Sequence, residues 1–234
     1  MNFYRSILNY GGNSLYAKSY TALAGQTPMQ TNLSRYFRTN SSFNAECYIG
    51  DQVNDCSRMF EACSTFNSPV KIGKSVVNCS NMFAHCPNLN SNIRTRVGIE
   101  DCSHMFYMCL NFNQGVAIPA NATNLKNMFS WCRNLNQDFT IVSSAVCSRM
   151  FEECSNMGGN IYFNNTPIDV GGMLNAKNLS KRVNIFCNDL TNVSSGAPNW
   201  VYLYNSSPIN WSTMTNGYYN ESLNIYLYNN YVGT

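Results

Sequence analysis

The chain has 234 residues and a net charge of +3, and charged residues make up only 12% of it. Lys and Arg do not form clusters, which argues against nucleic-acid binding because that function needs many phosphates to be neutralised. No apolar run is long enough for a membrane span. Residues 1–12 lack the continuous apolar segment of a signal peptide, so we expect synthesis in the cytoplasm without export.

Three regions follow one another along the chain. Residues 1–29 show no regular pattern, and we expect them to form an attachment or capping segment. Repeats of about 23 residues are expected over 30–190. A Tyr-rich end, residues 191–234, is expected to supply the capping repeats that cover the last coil.

An eight-residue phrase recurs five times in the repeat region. The second copy reads Cys-Ser-Asn-Met-Phe-Ala-His-Cys, and successive copies start 23, 23, 23 and 22 residues apart. The five copies start at Cys56, Cys79, Cys102, Leu125 and Cys147. A fixed step of this size predicts a solenoid, in which each repeat packs on its neighbours.

Two kinds of element are predicted within each repeat. If the first residue of the phrase is position 0, the apolar residues fall at 0, +3, +4 and +7, which predicts a short helix with one buried stripe. An apolar-polar-apolar triplet follows, and this alternation predicts a short strand with one buried face. The predicted strands are residues 47–49, 70–72, 93–95, 116–118, 139–141, 161–163, 183–185, 201–204 and 225–228.

The stretch from Ile72 to Leu89 resembles the BspA-like leucine-rich repeats, in the mycoplasma-type branch with Met-Phe-x-x-Cys. This stretch has the Phe-x-x-Cys core and a Leu three positions after the Cys, and the repeats share the 23-residue step of the family. The resemblance implies an α/β repeat solenoid, a leucine-rich-repeat-like right-handed coil with a parallel sheet on one face and short helices on the other. It also implies adhesion, and it transfers no catalytic residue.

The 11 cysteines are expected to be buried free thiols that act as small apolar side chains. Two cysteines seven residues apart on a helix lie about 10 Å apart, too far for a disulfide. Equivalent cysteines on packed helices would also be about 8–10 Å apart. No Cys-x-x-Cys pair supplies a metal site, so we expect no metal and no cofactor.

Catalysis is not expected. The two histidines, His85 and His104, lie inside the phrase, and no nucleophile or orienting carboxylate is placed beside them. Glu152 and Glu153 form a local acidic pair that is typical of a solvated surface. The sequence therefore predicts a protein that binds other molecules and is not an enzyme.

Two surfaces are candidates for binding. On the sheet, the middle residue of each strand points outward, and Tyr provides large contact area for sugar rings or proteins, although strands favour Tyr in any case. The sheet-face candidates are Tyr48, Lys71, Arg94, Thr140, Tyr162, Tyr202 and Tyr226. The helix-face candidates are Arg58, His104, Tyr107, Met108, Trp131 and Arg149. Met108 and Trp131 would form an apolar spot for a protein partner unless packing between helices buries them.

Three functions of different classes remain open from the sequence. The first is a phage virion component, such as a fibre, decoration or adhesion protein, because an adhesive repeat is present and an export signal is not. The second is a bacterial or protist cell-surface adhesin, and the third is an intracellular interaction scaffold. The expected partners are other virion or surface proteins or a host glycan, in a multi-copy assembly, with no nucleic acid and no membrane.

Overall fold

The computed structural model describes residues 14–16, 31–175, 179–187, 212–214 and 217–228. The repeats form a β-solenoid of about six turns. Its coils are joined by a ladder of parallel bridges at the residue before each phrase. The ladder connects Asn32, Asp55, Asn78, Asp101, Asn124, Val146 and Asp169. The solenoid and the parallel pairing that the 23-residue step predicts are therefore confirmed.

Ten short strands form two sheets in the described residues. The first sheet has the order β1-β2-β3-β4 and the second has the order β5-β6-β7-β10-β9-β8. The strands are β1 (Ser14–Tyr16), β2 (Glu46–Tyr48), β3 (Val70–Lys71), β4 (Ile93–Arg94), β5 (Phe139–Ile141), β6 (Gly159–Phe163), β7 (Val183–Cys187), β8 (Ser212–Met214), β9 (Gly217–Asn220) and β10 (Ile225–Tyr228). A short 3-10 helix, Glu221–Leu223, separates β9 from β10.

The strand direction changes at the C-terminal end of the second sheet. β10 pairs with β7 in parallel, with Ile225 opposite Val183. β9 then pairs with β10 antiparallel, and β8 pairs with β9 antiparallel. The predicted strand 225–228 thus continues the parallel sheet, while the predicted strand 201–204 lies outside the described residues.

The sequence predicts a strand at residues 116–118, but no strand forms there, and the first sheet is separated from the second at this point. Val116 and Ile118 are buried and Ala117 is exposed, as they would be in a strand. At the other end, β1 pairs in parallel with β2, with Leu15 opposite Cys47. A strand within residues 1–29 was not predicted. The proposed boundaries at 29/30 and 190/191 stay predictions.

The predicted helices are wrong, because the phrase forms consecutive β-turns. In the first copy the Met59 amide donates to the Cys56 carbonyl at 3.1 Å, Glu61 to Arg58 at 3.1 Å, and Cys63 to Phe60 at 3.1 Å. These bonds span three residues, whereas an α-helix bonds residues four apart. We call this surface the turn wall: the stacked phrases at 33–40, 56–63, 79–86, 102–109, 125–132, 147–154 and 170–175.

The remaining amides of the phrase join neighbouring coils. Cys56 N donates to Asn78 O at 2.9 Å and Arg58 N to Ser80 O at 2.9 Å, and Phe60 and Ala62 continue the pattern. Donors at positions 0, +2, +4 and +6 therefore bond the next coil, and donors at +3, +5 and +7 close turns. The amide at +1 instead donates to the side chain of the residue before the phrase, as Ser57 N does to Asp55 Oδ1 at 2.9 Å. This alternation provides hydrogen-bond partners for the backbone amides of a buried wall that is neither a helix nor a strand.

Left-handed backbone at positions +2 and +6 makes these turns. In the first copy Arg58 has φ 56° and Ala62 has φ 60°. Among the described residues, every other non-glycine residue with positive φ except Asn224 also lies at one of these positions. A positive φ at the third residue of a turn is the signature of a type II turn. It costs roughly 1–2 kcal/mol for a side-chain-bearing residue, which the packed interior must offset.

The core inside the wall is a ladder of phenylalanines at position +4. Successive ring centroids are 5.5, 5.3, 5.6, 5.2 and 5.6 Å apart, and the planes are within 11° of parallel. The ladder consists of Phe37, Phe60, Phe83, Phe106, Phe129 and Phe151. This spacing slightly exceeds the 4.7–4.9 Å separation of hydrogen-bonded strands, so each ring stacks on the next with an offset.

The described chain buries all 11 cysteines as free thiols, as the sequence predicts. The distance argument against disulfides fails, however, because coils separated by one backbone hydrogen bond lie closer together than packed helices do.

The second cysteine of a phrase also makes a hydrogen bond in the core. Its thiol donates to the Phe carbonyl of the preceding coil. Cys86 Sγ, for example, lies 3.0 Å from Phe60 O, and Cys109 Sγ lies 3.0 Å from Phe83 O.

Asparagine, which occurs 37 times in the chain, builds a ladder of its own on the solenoid. Asn67 Oδ1 accepts the backbone N–H of Asn90 at 2.8 Å, and Asn90 Oδ1 accepts that of Asn113 at 2.9 Å. The ladder runs through Asn44, Asn67, Asn90, Asn113 and Asn136 and ends at the amide of Gly158. These amides tie each coil to the next at a bend that no strand covers.

Candidate functional site

The outward row of the first sheet contains Tyr48, Lys71 and Arg94, which the strand register places side by side. The Lys71 ammonium lies 5.1 Å from the centroid of the Tyr48 ring, within cation–π range. Lys71 and Arg94 are exposed and Tyr48 is half-buried. The structure therefore brings these three predicted residues together, as a small basic patch.

The outward face of the second sheet carries a row of three stacked aromatic rings. We call Tyr162, Phe186 and Tyr228 the aromatic row. The Tyr162 and Phe186 centroids are 4.8 Å apart with planes at 15°, and the Phe186 and Tyr228 centroids are 4.7 Å apart with planes at 13°. Thr140, which is exposed, lies next to Tyr162 in the register.

This row differs from the predicted one, which aligned Tyr162 with Tyr226. The register places Tyr162 opposite Phe186, and Phe186 opposite Tyr228. The prediction is off by two residues because β7 is five residues long and a three-residue triplet does not include Phe186. Tyr202, also a predicted site residue, lies outside the described residues. The one sequence signal for Phe186 is its place two residues after Asn184, on the same strand face.

A second row, of polar side chains, runs beside the aromatic row. We call Asp138, Asn160 and Asn184 the amide row. Asn160 Nδ2 donates to Asp138 Oδ2 at 3.3 Å, and Asn184 Nδ2 donates to Asn160 Oδ1 at 3.1 Å. The Tyr228 hydroxyl donates to Asn184 Oδ1 at 3.5 Å. The amide row is therefore held in place and joined to the aromatic row.

Tyr226 closes the amide row on the far side, where the register places it opposite Asn184. Its ring is parallel to that of Tyr219, with the centroids 5.8 Å apart and the planes at 13°. The Arg182 guanidinium lies 4.4 Å from the Tyr226 centroid, where cation–π attraction holds it over the ring. The predicted residue Tyr226 thus positions a cation that the sequence did not single out.

An open groove of about 590 Å³ lies at the beginning of β6 and β7. This volume is within the range of small-molecule sites. We call it the basic groove, and its lining residues are Asn136, Gln137, Asp138, Gly158, Gly159, Lys181 and Arg182. Arg182 belongs both to the groove and to the contact with Tyr226, so the groove and the aromatic face are continuous.

The predicted helix-face residues lie on the turn wall. Arg58 and Arg149 pair with Glu61 at 3.5 Å and with Glu152 at 4.0 Å, respectively. The side chains of Arg58 and Arg149 are 39% and 55% exposed, and those of Glu61 and Glu152 are 12% and 17% exposed. Because the contacts are long, we expect each pair to contribute modestly to stability. Positions +2 and +6 point outward because their backbone is left-handed. The predicted helix is not the reason.

The middle of the turn wall is aromatic. The Tyr107 ring makes edge contacts with His85 at 5.3 Å and with His104 at 5.6 Å. Trp131 lies under the Arg133 guanidinium at 5.0 Å. Met108 and Trp131 occupy the same position on adjacent coils, and both are half-buried. That they form an apolar docking spot for a protein partner stays a prediction.

Burial also affects the acidity of His104 in the turn wall. Partial burial lowers the pKa of His104 below its ordinary value of 6.5, and nearby Lys126 adds to this effect. Its Nε2 is 2.9 Å from Asn127 Nδ2, an arrangement in which the neutral ring accepts from the amide. The side chain therefore serves as a neutral hydrogen-bond partner of the wall near pH 7.

The described surfaces present aromatic rings, amide side chains and cations. In the described ranges, no three His, Cys, Asp or Glu side chains converge on a position for a metal ion. No helix in the same part of the chain has the length and hydrophobicity of a membrane span. Aromatic rings, amides and two cations on one face are suited to holding a polar ligand with ring-shaped apolar faces.

Comparison with known proteins identifies a family for the repeats. The family model described as "Mycoplasma protein of unknown function, DUF285" matches residues 26–116 and also residues 79–193. No curated protein and no solved structure matches the chain. The two family matches overlap and together extend over well more than half of the sequence, including all five copies of the phrase. The chain therefore belongs to the mycoplasma protein family DUF285.

Proposed function

We propose that the protein is a non-enzymatic binding protein that holds saccharides on the outward face of the second sheet. The observation that carries this proposal is the adjacency of the aromatic row and the amide row in one strand register. Sugars present apolar C–H faces that pack on aromatic rings and hydroxyls that exchange hydrogen bonds with amides. Tyr also supplies contact area at low entropic cost.

Tyr228 is the ring best placed to receive a sugar. One face lies on Phe186, and on the opposite side the register places Gly217, which has no side chain. A Cβ at position 217 would overlap the carbonyl oxygen of Leu227, so close strand packing requires glycine there. The half-buried Tyr228 ring thus stacks on Phe186 and has the glycine of β9 directly opposite it on the other side.

Substitution of Tyr228 by Ala is the test of this proposal. We expect the affinity for a neutral hexasaccharide such as chitohexaose, measured by calorimetry, to fall about fivefold or more, because an aromatic contact worth about 1 kcal/mol is lost. Tyr107→Ala, which removes a half-buried Tyr of the turn wall, is the matched control and should bind normally. Failure of the unmodified protein to bind any oligosaccharide would refute the proposal.

The finer family assignment and the setting of this function are also proposals. The 23-residue step and the Phe-x-x-Cys core support assignment to the BspA-like repeats. A phage virion component, exposed on the particle after lysis, is our first proposal for the setting, and gene neighbourhood tests it: flanking capsid or tail genes are expected, and their absence would count against it. A bacterial or protist cell-surface adhesin and an intracellular interaction scaffold are the alternatives; the description of the matching family names mycoplasma and gives no function.

A further inference from the structure

The basic groove has two adjacent cations that the described part of the chain leaves without an ion pair. Lys181 and Arg182 are both exposed. The four ion pairs found among the described residues involve other side chains. Because no carboxylate of the described residues forms an ion pair with them, these two cations are available for an anionic ligand.

Two glycines shape the floor of the groove. A Cβ at position 158 would overlap the Lys181 side chain. At position 159, where φ is +119°, a Cβ would lie 2.6 Å from Asp138 Oδ1. Gly158 therefore lets the Lys181 stem pack across the backbone, and Gly159 leaves room for the carboxylate beside it. The groove is open at this point because neither residue has a side chain.

The single carboxylate of the groove is already occupied by internal donors. Asp138 Oδ1 accepts the backbone N–H of Asn160 at 2.8 Å, and Oδ2 accepts the Asn160 side chain at 3.3 Å. With two cations and one carboxylate in the lining, the groove has a net positive charge. Its charged hydrogen-bond donors are those of Lys181 and Arg182.

The Arg182 guanidinium is fixed beside the saccharide-binding face. It lies 4.4 Å from the Tyr226 centroid, and Tyr226 is two residues before Tyr228 on the same face of β10. Two residues of a strand span roughly 7 Å, which is comparable to the size of one sugar ring. A planar guanidinium presents paired N–H donors that match a carboxylate or a sulfate.

We propose that the basic groove binds the anionic group, carboxylate or sulfate, of an acidic oligosaccharide whose neighbouring sugar ring packs on Tyr228. This proposal rests on the saccharide-binding function proposed above and adds the charge of the ligand to it. Arg182 makes the directed contact and Lys181 adds a second positive charge. The amide row binds hydroxyls between the groove and the aromatic row.

The experiment compares three hexasaccharides on the full chain by calorimetry: chitohexaose as the neutral probe, hyaluronan hexasaccharide for carboxylate and a heparin hexasaccharide for sulfate. We expect either or both acidic probes to bind at least about tenfold more tightly than the neutral one, since hydrogen bonds to charged groups are the stronger class. The double variant K181Q/R182Q should abolish that preference and keep binding of chitohexaose. Lys126→Gln, which removes an exposed cation of the turn wall, is the control and should keep the preference.

The outcomes separate the two proposals. Equal affinities for acidic and neutral probes, or a preference that survives in K181Q/R182Q, would overturn the acidic-ligand inference alone. If the unmodified protein binds none of the three probes, the saccharide function and this inference are both overturned. Tighter binding of a single-stranded oligonucleotide than of either acidic probe, lost in K181Q/R182Q, would assign the groove to a different class of ligand.

Discussion

Raising the pH from about 8 to about 10 is expected to unfold the protein, because folding keeps its thiols protonated. Burial raises the pKa of Cys47, Cys86 and Cys102 from an ordinary value of 9.0 to about 12. Burial raises the pKa of ten thiols in all. The unfolded chain loses these protons above pH 9 while the folded chain keeps them.

The sign of the effect follows from these raised values. The stabilisation is fully present below about pH 9 and is lost as the pH rises from about 9 to about 12. Each thiol contributes about 1.4 kcal/mol per pH unit in that window. Ten thiols would then remove on the order of 10 kcal/mol by about pH 10, as much as the total stability of many domains.

Urea unfolding between about pH 8 and pH 10, with thiolate absorbance recorded in parallel, measures this dependence. The free energy of unfolding should fall steeply above about pH 9, and thiolate absorbance should appear only together with unfolding. A variant with Cys102→Ala and Cys109→Ala should show a slope about one fifth smaller, because it loses two of the ten thiols. A free energy of unfolding that stays constant over this range would contradict the burial of the thiols.

Replacement of Phe106 by Ala is expected to destabilise the solenoid by about 4 kcal/mol, the usual loss when a buried Phe leaves a cavity. Phe106 is fully buried and lies between Phe83 and Phe129, with centroid distances of 5.6 and 5.2 Å. Phe112 packs on it at 4.5 Å. The backbone of the coil is fixed on both sides by inter-coil hydrogen bonds, so little collapse into the cavity is expected.

Denaturant unfolding measures this loss, with Val97→Ala as the control. Val97 is 65% exposed, and its truncation should change the free energy of unfolding by less than about 0.5 kcal/mol. A loss below about 1 kcal/mol for Phe106→Ala would mean that the phenylalanine ladder is loosely packed.

The repeat and its inward residues could be predicted from the sequence, while the conformation of the phrase could not. Cys56, Met59, Phe60 and Cys63 are fully buried or nearly so, as the positions 0, +3, +4 and +7 predict. A helix places these positions on one face, but a row of four-residue turns does so as well. The apolar pattern therefore has the same form in both structures.

The sequence contains a weak signal that separates the two structures. Asn81, Asn127 and Gly172 occupy position +2, and these residue types tolerate left-handed backbone. Arg58, His104 and other side chains at the same position obscure the signal. Their backbone is imposed by the hydrogen bonds to the neighbouring coils, which a local pattern does not contain.

The candidate site was predictable only in part, because it depends on the strand register. Tyr162 and Tyr226 are outward on strands, as the alternation predicts, but they lie in different rows. Phe186 joins the aromatic row because β7 extends beyond the predicted triplet. The basic groove combines residues about 22 positions apart along the chain, Asp138, Gly159 and Lys181, and charge patterning alone does not reveal it.

A pair of glycine substitutions tests the central claim, that the phrase forms left-handed turns. Ala62 lies at position +6 with φ 60°, and Ala84 lies at position +5 of the next coil, where φ is not positive. We expect Ala62→Gly to stabilise the protein by about 0.5–1 kcal/mol, because glycine has no penalty at positive φ. Ala84→Gly should destabilise it by about 0.5–1 kcal/mol, because glycine loses more backbone freedom on folding and gains nothing where φ is not positive. Destabilisation of about 1 kcal/mol by both substitutions in urea unfolding, as in the interior of a helix, would contradict the claim.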